Sequence, residues 1–261
     1  MNNLIANFSQ ILEFARGYGL PEEKKRGIIR EYLQSMFLAK LYHQSVARKL
    51  IFIGGTSLRM LRNLNRFSED LDFDNLGLSE KQIVKLIETS VAAIRLENIK
   101  LEFKSNLKPG KTYFELRFPD LLYDLKITTN PREKLMIKVD YSRFWRGQQP
   151  EPVLLNRYGF LESVPTLPIN QIIVQKLTAY VQRKQSQPRD IYDVVWLFSQ
   201  GARIDKRFLA KNKLTNLVNK AQVKWRQEGA SRTMINKIRP FLFDAGEARK
   251  MKLFGEVLKR L

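Results

Sequence analysis

Two carboxylates stand one residue apart, Asp70 and Asp72, within Arg66-Phe67-Ser68-Glu69-Asp70-Leu71-Asp72-Phe73-Asp74. In extended backbone successive side chains alternate between faces, so Leu71 and Phe73 can enter a core while Asp70, Asp72 and Asp74 project together on the other side. Clustered negative charge of this kind is costly without a cation. Magnesium takes oxygen ligands, commonly one or two carboxylates plus substrate phosphates, and requires neither cysteine nor histidine. The pattern therefore points first to metal-assisted chemistry on a nucleotide.

Three further segments bear on that reading. Gly54-Gly55-Thr56-Ser57 follows an apolar run and opens a helical pattern; small residues there let backbone approach an anion, and a helix start offers unpaired N–H groups. A Gly-Gly pair is equally an ordinary turn, and no Gly-Lys-Ser/Thr follows to make a Walker loop. Asp140 lies in Leu135-Met136-Ile137-Lys138-Val139-Asp140-Tyr141, on the face opposite Leu135, Ile137, Val139 and Tyr141. Taken with the Asp70/Asp72 pair, it supplies the third carboxylate that a two-metal phosphoryl-transfer site needs to hold ions about 3.5–4 Å apart. Lys176 falls inside the apolar arc of a helical segment, between Ile172 and Tyr180, with Arg183 two turns on along the same edge. A lysine so placed points into a cleft or snorkels to solvent. After Pro188, Asp190 sits within the next apolar arc and Asp193 at its margin, although an acid this early in a helix also serves as a cap or dipole partner.

The elements that must carry these residues follow from periodicity. Helical spacing over 4–14 and 22–47 places two helices before a buried strand at 49–53, and Gly54-Gly55 ends that strand before a helix at 56–64. A strand at 70–74 and a helix capped by Ser79 running to about 96 come next. The stretches 101–105, 113–118, 122–128 and 135–141 alternate as strands. The stretch 147–168 reads as a connection with one short strand around Val153-Leu154-Leu155, and from Ile169 the pattern is helical, over 170–184, 189–199 and several basic segments beyond. The expected fold is α/β (α+β): a mixed sheet with flanking helices, then a helical lobe. The expected division is N-terminal helices at 1–48, a catalytic lobe at 49–160 and a basic helical lobe at 161–261.

Composition narrows the partners. The 261 residues are 44% hydrophobic and 28% charged, as in globular proteins, and no apolar run approaches the roughly 18–20 residues that cross a bilayer. The opening Met1-Asn2-Asn3-Leu4-Ile5 shows no secretory signal, and with no cysteine a cytoplasmic location is expected. The single histidine, His43, cannot build a zinc site. The net charge of +20 attracts polyanions, nucleic acid first, and residues 201–261 hold sixteen Lys or Arg against five Asp or Glu. The same surplus would also serve solubility or an acidic protein partner.

Gly54-Gly55-Thr56-Ser57-Leu58-Arg59 followed by Arg66-Phe67-Ser68-Glu69-Asp70-Leu71-Asp72-Phe73 resembles the AbiEii/AbiGii family of nucleotidyltransferase toxins, within the polymerase-beta-like superfamily. Lys176-Leu177-Thr178-Ala179 and Arg189-Asp190-Ile191-Tyr192-Asp193 are similar to its downstream motifs. The resemblance spans about 50–200 and implies a bilobal toxin of an antiphage toxin–antitoxin system, with a cognate antitoxin and a nucleoside triphosphate as co-substrate. Some relatives transfer nucleotides to the 3' end of tRNA. On that analogy Asp70, Asp72 and Asp140 bind two magnesium ions, and Asp140 helps activate the attacking hydroxyl. Gly54, Gly55, Thr56, Ser57, Arg59 and Ser68 line the nucleotide site, with the two serines on phosphates. Lys176 neutralises the triphosphate, Arg183 assists, and Asp190 or Asp193 orients lysine or nucleotide. Arg59, Arg66, Arg183 and the basic tail would guide RNA. The competing readings are a transferase acting on a protein or small molecule, and a catalytically dead RNA-binding module.

Overall fold

The computed structural model describes residues 3–108 and 111–261. Its contacts divide the chain into two compact units: Met1–Asn63, Phe67–Arg143 and Pro152–Thr166 form the first, and Leu64–Arg66, Phe144–Glu151 and Leu167–Leu261 the second.

The first unit is built on seven strands: β1 (Leu50–Ile53), β2 (Leu71–Asn75), β3 (Glu102–Lys108), β4 (Lys111–Phe118), β5 (Leu135–Ser142), β6 (Glu151–Arg157) and β7 (Phe160–Thr166). They form one mixed sheet in the order β3-β4-β5-β2-β1-β7-β6. β1 runs antiparallel to β2 and parallel to β7, and β2 is parallel to β5. Alternation sorts the side chains as expected for a half-buried sheet: Phe52, Leu71, Phe73, Phe114, Leu116, Leu135, Ile137 and Val139 are all buried, on the face opposite the acids. The helices Lys25–Tyr42 and Glu80–Arg95 pack on each other, and Lys25–Tyr42 also packs on β5 and β7. Glu80–Arg95 starts at Ser79, whose hydroxyl accepts from the Gln82 N–H while Gln82 returns a bond to the Ser79 backbone, a complete capping box.

Two expectations for the first unit are corrected. The stretch 122–128 is not a strand: Leu121–Asp124 forms one helical turn, because Leu121, Leu122 and Leu125 bury together at helical spacing. The stretch 147–168 carries a hairpin rather than one short strand in a linker. Tyr158 and Gly159 turn it, both at positive φ (53° and 81°), and β7 then joins the sheet beside β1. The first unit therefore extends to Thr166.

The second unit is helical. Ile169–Gln182 and Pro188–Ser199 pack on each other, and Leu217–Glu228 packs on the first of them. Two stretches that lie outside this run in sequence belong to it. Trp145 stacks on Phe208 with centroids 5.3 Å apart, and the Gln149 N–H donates to Gln171 Oε1 at 3.1 Å. Arg66 makes an isolated bridge to Leu242, and the Phe243 N–H donates to the Asn65 carbonyl at 3.2 Å. No helix among the described residues is long and apolar enough to cross a membrane.

Candidate active site

Of the carboxylates expected to act together, Asp72 and Asp140 share one surface of the first unit. Asp72 on β2 lies directly opposite Asp140 on β5 in the parallel register, and Asp70 immediately precedes β2. All three are partly exposed. Asp74 continues the row but is fully buried, accepting from the Ser142 hydroxyl at 3.0 Å, which makes it part of the support.

The Gly-Gly turn has a steric reason. Gly54 has φ of +81°, and a Cβ there would overlap the Asp72 carboxylate. Glycine thus allows the start of the helix Gly54–Arg62 to lie against that acid. Thr56 is buried and its hydroxyl donates to the Asp70 carbonyl, tying this helix to the acidic strand. Ser57 is also buried, its hydroxyl donating to the Gly54 carbonyl at 3.0 Å. Both hydroxyls thus hold the turn in shape. Ser68 remains partly exposed, and its carbonyl accepts from Gln34 Nε2 at 3.3 Å.

Two arginines expected at nucleotide or RNA are instead internal. Arg59 is 2% exposed and forks onto Glu31, with Nε to Oε2 at 2.9 Å. Arg66 is 1% exposed and forks onto Asp193 with two bonds of 2.7 Å. A guanidinium whose fork is filled by a buried carboxylate is not presented to a phosphate chain. Both residues are therefore reassigned to holding the fold.

In the second unit the basic and acidic residues singled out in the sequence gather into one network. Lys176 Nζ lies 2.7 Å from Asp193 Oδ2 and 4.0 Å from Asp190 Oδ1. Asp193 is fully buried, and burial alone would raise its carboxyl pKa; Arg66 and then Lys176 outweigh that and hold it below the ordinary aspartate value. Burial likewise opposes the charge on Arg66, and the facing Asp193 more than offsets it, so the arginine pKa rises. Asp190 differs from Asp193. Arg183 Nε approaches its Oδ2 at 3.0 Å but out of hydrogen-bond alignment, leaving a buried carboxylate oxygen with an acceptor position to spare.

Magnesium can be tested against the acidic face by its chemistry. Asp72 and Asp140 supply hard oxygen donors on one face, with Asp70 immediately before β2, and such donors suit that ion. Among the described residues, however, no three acidic or histidine side chains are already gathered closely enough to hold a metal. Asp140 is drawn to Lys138, whose ammonium donates to its carboxylate. The donor set fits magnesium in type and register, with Asp140 engaged elsewhere.

A protein-family model described as nucleotidyl transferase AbiEii toxin, type IV TA system, matches residues 36–258. The chain belongs to the AbiEii family. It is accordingly a nucleotidyltransferase, with a nucleoside triphosphate as substrate, and the toxin of a type IV toxin–antitoxin system with a cognate antitoxin. No curated protein matches the sequence. Among solved structures, JHP933 from Helicobacter pylori is similar at 15% identity and a TM-score of 0.52, covering 90% of this chain and 92% of that one. A second solved structure, of an H. pylori protein provisionally described as a nucleotidyltransferase, is 16% identical with a TM-score of 0.54, covering 90% and 95%. At such identities the likeness is one of fold, and it agrees with the mixed α/β lobe followed by helices.

Proposed function

We propose that this AbiEii toxin transfers nucleotides from a nucleoside triphosphate to RNA, with the tRNA 3' end as acceptor, and that Asp70, Asp72 and Asp140 hold two magnesium ions for the reaction. The observation that carries this reading is the pairing of Asp72 with Asp140 across β2 and β5, with Gly54 kept bare beside Asp72. Bound magnesium supplies Lewis-acid stabilisation of the reacting phosphate and acidifies the acceptor hydroxyl. The protein's own work is positioning and electrostatics, which dominate phosphoryl transfer. Asp140 takes the proton of the hydroxyl that attacks the α-phosphorus, the α–β bond breaks to release pyrophosphate, and Ser68 and the backbone around Gly54-Gly55 contact phosphate. In the second unit we assign Lys176 to the charge of the triphosphate and Asp190, rather than Asp193, to a nucleotide hydroxyl. The spare acceptor on Asp190 supports that choice, because the oxygens of Asp193 are occupied by Arg66 and Lys176. The net charge of +20 supports RNA as acceptor.

The test is incubation of purified protein with magnesium, each labelled triphosphate and total cellular RNA, in wild type and Lys176→Ala. Label entering the tRNA fraction, and lost in the variant, is the expected result. Label entering protein or a small molecule instead would replace RNA as the acceptor.

A further inference from the structure

Lys138 belongs to no motif singled out in the sequence, yet its side chain stands within the acidic face. It precedes Asp140 by two residues on β5 and so points to the same side of the sheet. Its ammonium donates to the Asp140 carboxylate and lies 4.6 Å from the centre of the Tyr113 ring, which faces Asp140 across the β4–β5 ladder. The side chain is 27% exposed, against 29% for Asp140, so both sit at the rim of the core with limited solvent screening. The ammonium is thus held from two sides, by the Asp140 carboxylate and by the Tyr113 aromatic face.

We infer that Lys138 is a resident counter-cation of the acidic face: without nucleotide it occupies the Asp140 carboxylate, and divalent metal must displace it to recruit that carboxylate. The inference rests on the proposal that Asp70, Asp72 and Asp140 bind metal. Two observations point the same way. Asp72 and Asp140 face each other across β2 and β5, and the Asp140 carboxylate is taken up by the Lys138 ammonium. Tethered cation and metal compete for the same oxygens, so Lys138 makes metal binding weak until the triphosphate brings oxygens of its own. Lys138 is in this sense a positioning residue, acting through Asp140.

The experiment measures binding of manganese, as a spectroscopic probe for magnesium, by electron paramagnetic resonance of the free ion without nucleotide. It compares wild type, Lys138→Met, Lys138→Arg and Asp72→Asn. Removing the competing charge is expected to tighten manganese binding about tenfold in Lys138→Met, the scale of one neighbouring charge at a partly exposed site. Lys138→Arg, which keeps the charge, is expected to bind as weakly as wild type, and Asp72→Asn to lose binding. If Lys138→Met binds no tighter than wild type, or Lys138→Arg tightens equally, while Asp72→Asn still abolishes binding, the role of the lysine is overturned and the metal site stands. If Asp72→Asn binds as wild type does, the metal site itself is overturned. Thermal melting provides a second readout: Lys138→Met is expected to melt lower than wild type without metal and to gain more on adding magnesium. An equal gain in both proteins would contradict the displacement.

Discussion

At the scale of single residues, the acids separate by what already occupies them. Asp190 and Asp193 are both buried, but the Asp193 oxygens are taken up by Arg66 and Lys176 whereas Asp190 Oδ2 accepts no hydrogen bond, so the two should fail differently when neutralised. Asp190→Asn is expected to lower the melting temperature less than Asp193→Asn, because its Arg183 contact is partly exposed and poorly aligned, and to raise KM for the triphosphate. Asp193→Asn is expected to unfold the protein more readily, by about 3–5 kcal/mol, the cost of removing one partner from a buried ion pair. Denaturant titration and steady-state kinetics on both variants check this. Gly54 makes a second case. Alanine there must adopt φ of +81° and push against Asp72, so Gly54→Ala should cost about 1–3 kcal/mol and depress the transfer rate as well.

At the scale of elements, the ion pairs fix where segments lie. Arg66 is bonded to Asp193 127 positions away, and Arg59 to Glu31 28 positions away. The Arg66 pair also makes stability pH-dependent. Because the Asp193 carboxyl titrates lower in the folded chain than when unfolded, its contribution is complete above the ordinary aspartate value, about 3.9, and is lost as pH falls through the folded value. Stability of wild type should therefore drop more steeply below about pH 4 than that of Asp193→Asn, measured by denaturant midpoints against pH. These elements also show what a sequence reveals. The strand-turn-helix around Gly54, the alternation of β2 and the polar side of β5 are local patterns, and all three were legible. The β6–β7 hairpin was not, because Tyr158-Gly159 lacks the usual Asn-Gly signature and two prolines, Pro152 and Pro165, resemble a linker. The stretch 121–125 misled because three leucines over five residues suit a strand or a helical turn equally. Arg59 and Arg66 looked like ligand-binding cations, since nothing local announces a partner so distant in the chain. A buried acid on an apolar helix, as with Glu31 in Lys25–Tyr42, was the available hint. Lys138 had a local signal that went unused: a lysine two residues before an acid on one strand shares its face.

At the scale of the whole molecule, the charge surplus is the property that bears on function. With RNA as the acceptor, affinity should fall by about 10³ or more between roughly 50 and 200 mM salt, the loss expected for about six or more phosphate contacts. The exposed Lys213 and Lys220 in the second unit are suitable probes, and their replacement by glutamate should weaken RNA binding and flatten its salt dependence without altering the fold. Affinity independent of salt would show that the surplus serves something else. The central claim is narrower: the acidic face formed by Asp70, Asp72 and Asp140 is where transfer occurs. Its most direct test is magnesium-dependent incorporation of labelled nucleotide by Asp72→Asn alongside wild type, with melting temperature recorded for each. The expected result is a loss of about 10²-fold or more in rate with an unchanged melting temperature; incorporation at the wild-type rate by the folded variant would contradict the account.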